Sequence, residues 1–431
     1  MMKNIALSLA ILASTLSLCI AQTRVPIGTN SSPSNSEVTL TLANRIQHYN
    51  QTPKDVANDK FDTAINSPKS INILFEKSKY YVNSLEGCET VVYDLNTHKR
   101  LKVIKHTFNR ENQHLFRDTL FFDYTFRTAK GNPNIFRGKP VEGCFSHDGR
   151  YFWATYYRRS FDRNAMDPSA VCIIDTETDE IIRVMPTGPL PKMICCSPDN
   201  KYIAVTHWGD NTVALIDINS SDINDFHYLK NITIGNRMRL SFAQDTVINR
   251  DRDCGLCLRG TIFSPDSKYL LVGQMGGASV SVIDVKTQKF IGSISGAMPN
   301  IRHLIIHDNY LYISINSAGY VQKANFGEIL SCIANKDFKY TKWENAYVGI
   351  GARTICIHPS GKYIFAAVNN ESKVSIIRTS DMKVIGSCEV DSFPVGMDIC
   401  DQGKTLITTS QGKSELGGGN SVCIYNIKIN P

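Results

Sequence analysis

Apolar residues in this chain fall in short runs separated by clusters of Gly, Pro, Asn, Asp and Ser. One stretch starting at Cys195 reads CCSPDNKYIAVTHWGDNTVALIDI, and another starting at Ile262, 67 residues on, reads IFSPDSKYLLVGQMGGASVSVIDV. Both follow one order: an apolar run, Ser-Pro-Asp, Lys-Tyr, a second apolar run, a polar gap, and a third run ending in Asp. Further copies run from Ile71 to Ile104, from Val141 to Met185, from Ile301 to Phe326, from Thr354 (TICIHPSGKYIFAAVNNESKVSIIRTSDMKVIGS) and from Met397, seven in all.

The runs inside each copy are rich in Val, Ile, Tyr and Thr and lack a 3.6-residue period, so they predict strands rather than helices. Four strands fit each copy. The Ser-Pro-Asp or His-Pro-Ser-Gly turn joins the first to the second. Asp94, Asp175, Asp217 and Asp284 close the third, where a carboxylate can bond its own turn. A four-stranded unit repeated about every 40 residues or more is a propeller blade, because one blade alone cannot bury both its faces. The expected fold is therefore all-β, a seven-bladed β-propeller over residues 68–431. The last copy lacks an outer strand, and the alternating SEVTLTLA from Ser36 to Ala43, within an N-terminal segment of residues 22–67, is expected to supply it and close the ring.

The pattern SPDxKY…VSVIDxxTxK resembles the YVTN-type β-propeller repeats of exported bacterial and archaeal proteins, over roughly residues 68–430. The resemblance implies the fold, with a site on the rim at the mouth of the central channel. Related propellers include binding and surface proteins, lactonases and domains of copper and haem enzymes, so it does not single out an activity.

Residues 1–21 stand apart. Lys3, an apolar run from Ile5 to Ile20 and the small Ala21 predict a cleaved secretory signal, with lipidation at Cys19 as the lesser alternative because Leu18 precedes it. No other stretch is long enough to span a bilayer. The protein is thus expected in a periplasm, outside the cell or at the cell envelope, as a monomer. Removing Lys3 lowers the formal charge from +7 to +6, so the placement of charge matters more than its sum.

That placement is uneven. Residues 105–139 hold seven basic and three acidic residues among Phe108, Phe116, Phe121, Phe122, Tyr124, Phe126 and Phe136. Arg158, Arg159 and Arg163 stand beside Tyr156, Tyr157 and Phe161, and a further insertion carries Arg237, Arg239, Arg250 and Arg252. All these segments, with residues 410–420, map to one rim, as binding-face insertions do. At the start of consecutive inner strands stand Lys192, Arg259, Arg302 and Arg353, with Lys69 nearby in the first blade. Cations converging on a channel mouth attract anions, and arginine's planar fork suits carboxylate or phosphate. The same arginines would equally serve to tie blades through backbone carbonyls, or to pair with Glu142. The aromatic insertion would equally make a small core of its own with its rings turned inward; rings facing solvent would instead suit single-stranded nucleic acid or anionic glycans. Trp208 in HWGDN either packs on the rim or stacks on a ligand.

Other chemistry has thin support. Cys254-Gly-Leu-Cys257 has no following His and no second pair, leaving a local disulfide, two free thiols, or a redox or metal role. The other cysteines sit in apolar runs and read as core. His207, His303, His307 and His358 belong to different blades, with the last two on the opposite rim from His303. No G-x-S-x-G elbow or P-loop occurs. The expectation is a non-catalytic binding or scaffold protein without a cofactor. Its rim engages an anionic small molecule or polymer, or a cell-envelope protein. The ligand-binding candidates are Lys192, Arg259, Arg302, Arg353, Arg158, Arg159, Glu142 and Trp208. The alternatives are a lactonase-like hydrolase centred on Glu142 and a redox or cofactor-associated propeller.

Overall fold

The computed structural model describes residues 25–34, 36–48, 56–116, 136–160, 162–238, 249–400, 402–412 and 420–430. The expected signal, Cys19, Phe121, Phe122, Tyr124, Phe126, Phe161 and Arg239 lie outside them.

Seven sheets, antiparallel except for the short strand Asp59–Phe61 that runs parallel to its neighbour, form the ring of a β-propeller. The third blade shows how the repeat becomes structure. Its strands are Pro191–Cys196, Tyr202–His207, Thr212–Asp217 and His227–Thr233, each hydrogen-bonded to the next. The Ser197 hydroxyl donates to Asp199 at 2.7 Å and accepts the Tyr202 amide at 2.9 Å, so Ser-Pro-Asp closes its own turn. Ser264 does the same for Asp266 and Tyr269 in the fourth blade. Asp217 accepts the amide of Asn219 at 2.8 Å, ending the third strand as its position implies.

Cores form between blades. Trp153, Ile173 and Met185 of the second blade pack with Ile194, Val205 and Ile216 of the third, all 2% exposed or less. The strands are apolar on both faces because each sheet meets a neighbour on either side. The seventh blade is completed by Val38–Gln47, antiparallel to the last strand, Ser421–Ile429. Val38, Leu40 and Leu42 are fully buried there among residues of the sixth and seventh blades. Among the described residues one α-helix interrupts the strands: Phe326–Ala334, capped by Asn325, which accepts the Glu328 amide at 3.0 Å. It lies between strands of the fifth blade, past the end of that blade's apolar runs.

Every inner strand shares one irregularity. Register with the second strand breaks between Pro68 and Ile71, Pro140 and Gly143, Pro191 and Met193, Leu258 and Thr261, Ile301 and His303, Ala352 and Ile355, and Pro394 and Gly396. A bulge leaves a residue outside the ladder and re-aims its side chain. The bulged positions begin with Lys69, Val141, Lys192, Arg259, Arg302, Arg353 and Val395.

Candidate anion site at the channel mouth

Six of those seven bulge residues line one cavity of about 180 Å³, completed by Leu85 and Tyr157. The structure thus brings together Lys192, Arg259, Arg302 and Arg353, and adds Lys69. A second cavity, of about 330 Å³, continues below, where Glu142, Met193, His303 and Asp398 are among the lining residues.

The cations differ in what neutralises them. Arg259, 5% exposed, donates to the Glu142 carboxylate at 2.5 Å and to the carbonyl of Lys192. It does what a structural arginine would do: it ties blades and pairs with Glu142. Lys192 donates to Asp251 at 3.1 Å, and its ammonium lies 4.3 Å from the Tyr157 ring centre and 4.5 Å from that of Trp208. Trp208 is held by its indole N–H, which donates to the Asp251 carbonyl at 3.0 Å, and the Tyr157 hydroxyl donates to the Asp251 carboxylate. Trp208 therefore forms a wall behind Lys192. Counting only the arginines of the insertion at residues 231–258 misses Asp251, for which the alternation Arg250-Asp251-Arg252-Asp253 is the signal in the sequence.

Among the described residues, Arg302 and Arg353 have no such partner. Among them, Arg302 reaches the Met275 sulfur, at 3.5 Å, and its buried Nε has no acceptor. Arg353, 6% exposed, has an unpartnered Nε and lies 5.8 Å from the Phe393 ring centre. Burial and then Arg259 push the Arg353 guanidinium down to about 9. Burial, Arg353 and Arg259 push Arg302 well down too. Arginine does not surrender its proton in a protein, so these shifts measure the cost of holding two bare cations. Lys69 is pushed well below the usual lysine range by burial and then by Arg353, Arg259 and Arg302, with Glu142 opposing. Burial lowers Lys192 to about 7 against the pull of Asp251. Asp251 is held low, against its burial, by Lys192 and Tyr157.

Other candidates lie elsewhere or are already paired. Arg159 turns away from the mouth: it is 3% exposed, 3.8 Å from Asp167, and stacks over Phe136. Arg158 lies over the Tyr157 ring at 5.0 Å and donates to the Arg163 carbonyl. Arg237 pairs with Asp210 at 3.5 Å and Arg252 with Asp253 at 3.0 Å, while Arg250 is buried and donates to the Gly209 carbonyl. Phe108, Phe116 and Phe136 pack on one another with centroids 5.2–6.0 Å apart and join the core between the first and second blades, beside Ile104 and Tyr156, rather than making a core of their own. Cys254 and Cys257 are joined in a disulfide, and the other described cysteines are unpaired. His207 is bonded to Thr187 and Thr212, His307 to Asp308, and His358 to Ser360. Among the described residues, no three His, Cys, Asp or Glu side chains gather to hold a metal. Glu142, the residue on which a hydrolase reading centres, spends its carboxylate on Arg259.

The chain is similar in structure to Kuenenia stuttgartiensis hydrazine synthase at 14% identity, with TM-score 0.58, covering 89% of this chain and 100% of that one. It is also similar to the β-propeller domain of Cps50 (Swd1) from Myceliophteria thermophila at 12% identity, with TM-score 0.56, covering 84% and 97%. At such identities these likenesses speak to the fold alone. No protein-family model and no curated protein matches the chain. Among the described residues no helix is long and apolar enough to cross a membrane.

Proposed function

We propose that this is an exported, non-catalytic binding propeller whose channel mouth takes a small anionic ligand. One observation carries the reading: Arg302 and Arg353 border a cavity with guanidinium Nε groups that find no acceptor. A buried cation left unpaired is costly, and an anion in the cavity removes that cost. Glu142 and Asp251 are already engaged with Arg259 and Lys192, so a bound anion would supply the negative charge that Arg302 and Arg353 lack. The YVTN-like repeat and the signal-like residues 1–21 support export to a periplasm or cell surface. The outer rim, with Arg158 and Trp208, would meet whatever the ligand is attached to.

The test is binding of the full protein to acetate, succinate, sulfate, a sulfated glycan and single-stranded DNA at two salt concentrations. Small anions should bind saturably. Arg302→Ala with Arg353→Ala should weaken them at least about a hundredfold, since hydrogen bonds to charged groups contribute about 1.5–3 kcal/mol each, without lowering the melting temperature. Tight binding of only the polymers, with a steep salt dependence, would move the site from the cavity to the outer rim. Unchanged binding by the double variant would remove the reading.

A further inference from the structure

The neutralised and bare cations at the mouth can be counted. Arg259 with Glu142 and Lys192 with Asp251 each close on themselves. Two fixed positive charges remain, on Arg302 and Arg353, together with the Lys69 amine. Among the described residues Lys69 has no hydrogen-bond acceptor, and the groups that act on it are Arg353, Arg259, Arg302 and Glu142. Leu85 and Val141 add apolar wall, and His303 stands behind, lowered to about 4 by burial. The cavity, about 180 Å³, is large enough to hold several waters. That admits a tetrahedral oxyanion or a short dicarboxylate.

We propose that the mouth binds a small dianion, of the sulfate, phosphate or short-dicarboxylate kind, and that Lys69 takes up one proton as the anion enters. This rests on the anion-binding reading above and adds ligand charge, size and a proton to it. In the empty mouth three guanidinium groups and burial oppose an ammonium on Lys69. A dianion against Arg302 and Arg353 cancels the field of both and offers Lys69 an acceptor. The ammonium then becomes the favoured form and donates to the ligand. Binding and protonation are linked, so affinity rises as pH falls, by up to about tenfold per pH unit. A monoanion cancels only half of the excess and binds more weakly.

Sulfate is the decisive probe because it does not itself titrate near neutrality. Calorimetry of the full protein with sulfate is run at about pH 6, where Lys192, lowered to about 7, keeps its proton beside Asp251, in two buffers of different ionisation enthalpy. The expected result is tighter binding of sulfate than of acetate, with heats that differ between buffers by the amount that uptake of a proton requires. Lys69→Arg, which is permanently charged, should bind sulfate with no buffer dependence at that pH and a pH profile that stays flat until Lys192 begins to titrate at about 7. Lys69→Met should bind more weakly and also without uptake. Equal heats in the two buffers for the unaltered protein would overturn the proton coupling, as would uptake that persists in Lys69→Arg. Acetate binding as tightly as sulfate would overturn the dianion. Those results leave the anion site standing. Absence of any sulfate, succinate or acetate binding to the unaltered protein removes the site and this inference together.

Discussion

Two buried arginines in this molecule make opposite use of their burial. Arg45 lies at the ring closure, on the N-terminal strand, 4% exposed. It bonds Asp59 through Nε and Nη2 at 3.2 and 2.7 Å, and reaches the Val25 carbonyl at 2.8 Å and Asp391 at 3.1 Å through Nη1. Asp391 in turn accepts the Ser421 hydroxyl at 2.7 Å. Despite burial, Asp59 and Asp391 push the Arg45 guanidinium upward. Arg353 is as deeply buried, yet burial and Arg259 push it down. Burial therefore does not tell a structural arginine from one waiting for a ligand. The difference lies in whether its donors are already taken.

Removing the closure should have the largest effect. Val38, Leu40, Leu42 and Ile46 are 2% exposed or less, and at about 1.5–3 kcal/mol per buried side chain their loss rivals the whole stability of a domain, about 5–15 kcal/mol. A chain starting at residue 60 should lose its cooperative melting transition; retaining it would show that the ring closes without this strand. Next comes the arginine pair. Arg45→Met strands Asp391 in the interior and should cost about 3–5 kcal/mol in denaturant unfolding. Arg353→Met removes a bare cation and should leave stability unchanged or higher. Equal losses from the two would erase the distinction drawn between them.

A pH titration separates the regions further. Lys192 is lowered from 10.5 to about 7 in the folded state, so between those values the unfolded chain binds more protons. Stability from the mouth should therefore rise as pH climbs from about 7 toward 10.5, and Lys192→Met should flatten that rise. Arg45 titrates outside this window, and its variant should keep the slope. The smallest effect belongs to the rim. Arg158→Ala should change stability by no more than about 0.5 kcal/mol and sulfate affinity by less than about fivefold; a loss comparable with that of Arg353 would shift the site outward.

The seven blades were legible because their rules are local. Ser197 and Ser264 close the turns beside them, and Asp217 caps its own strand, so short windows carry the message. The positions of Lys192, Arg259, Arg302 and Arg353 also followed from the repeat, since each occupies the second residue of its inner strand. The chain alone left open which of them would be neutral. Glu142 and Arg259 meet across 117 residues, and Lys192 and Asp251 across 59, because the ring folds distant blades around one axis. Arg159 lies beside Arg158, but the strand sends neighbouring side chains to opposite faces, and only packing decided that Asp167 would receive it. The shared bulges, which turn six residues into one cavity, are breaks in hydrogen-bond register between strands. No pattern along a single strand records them, and they exist only once the second strand is laid alongside.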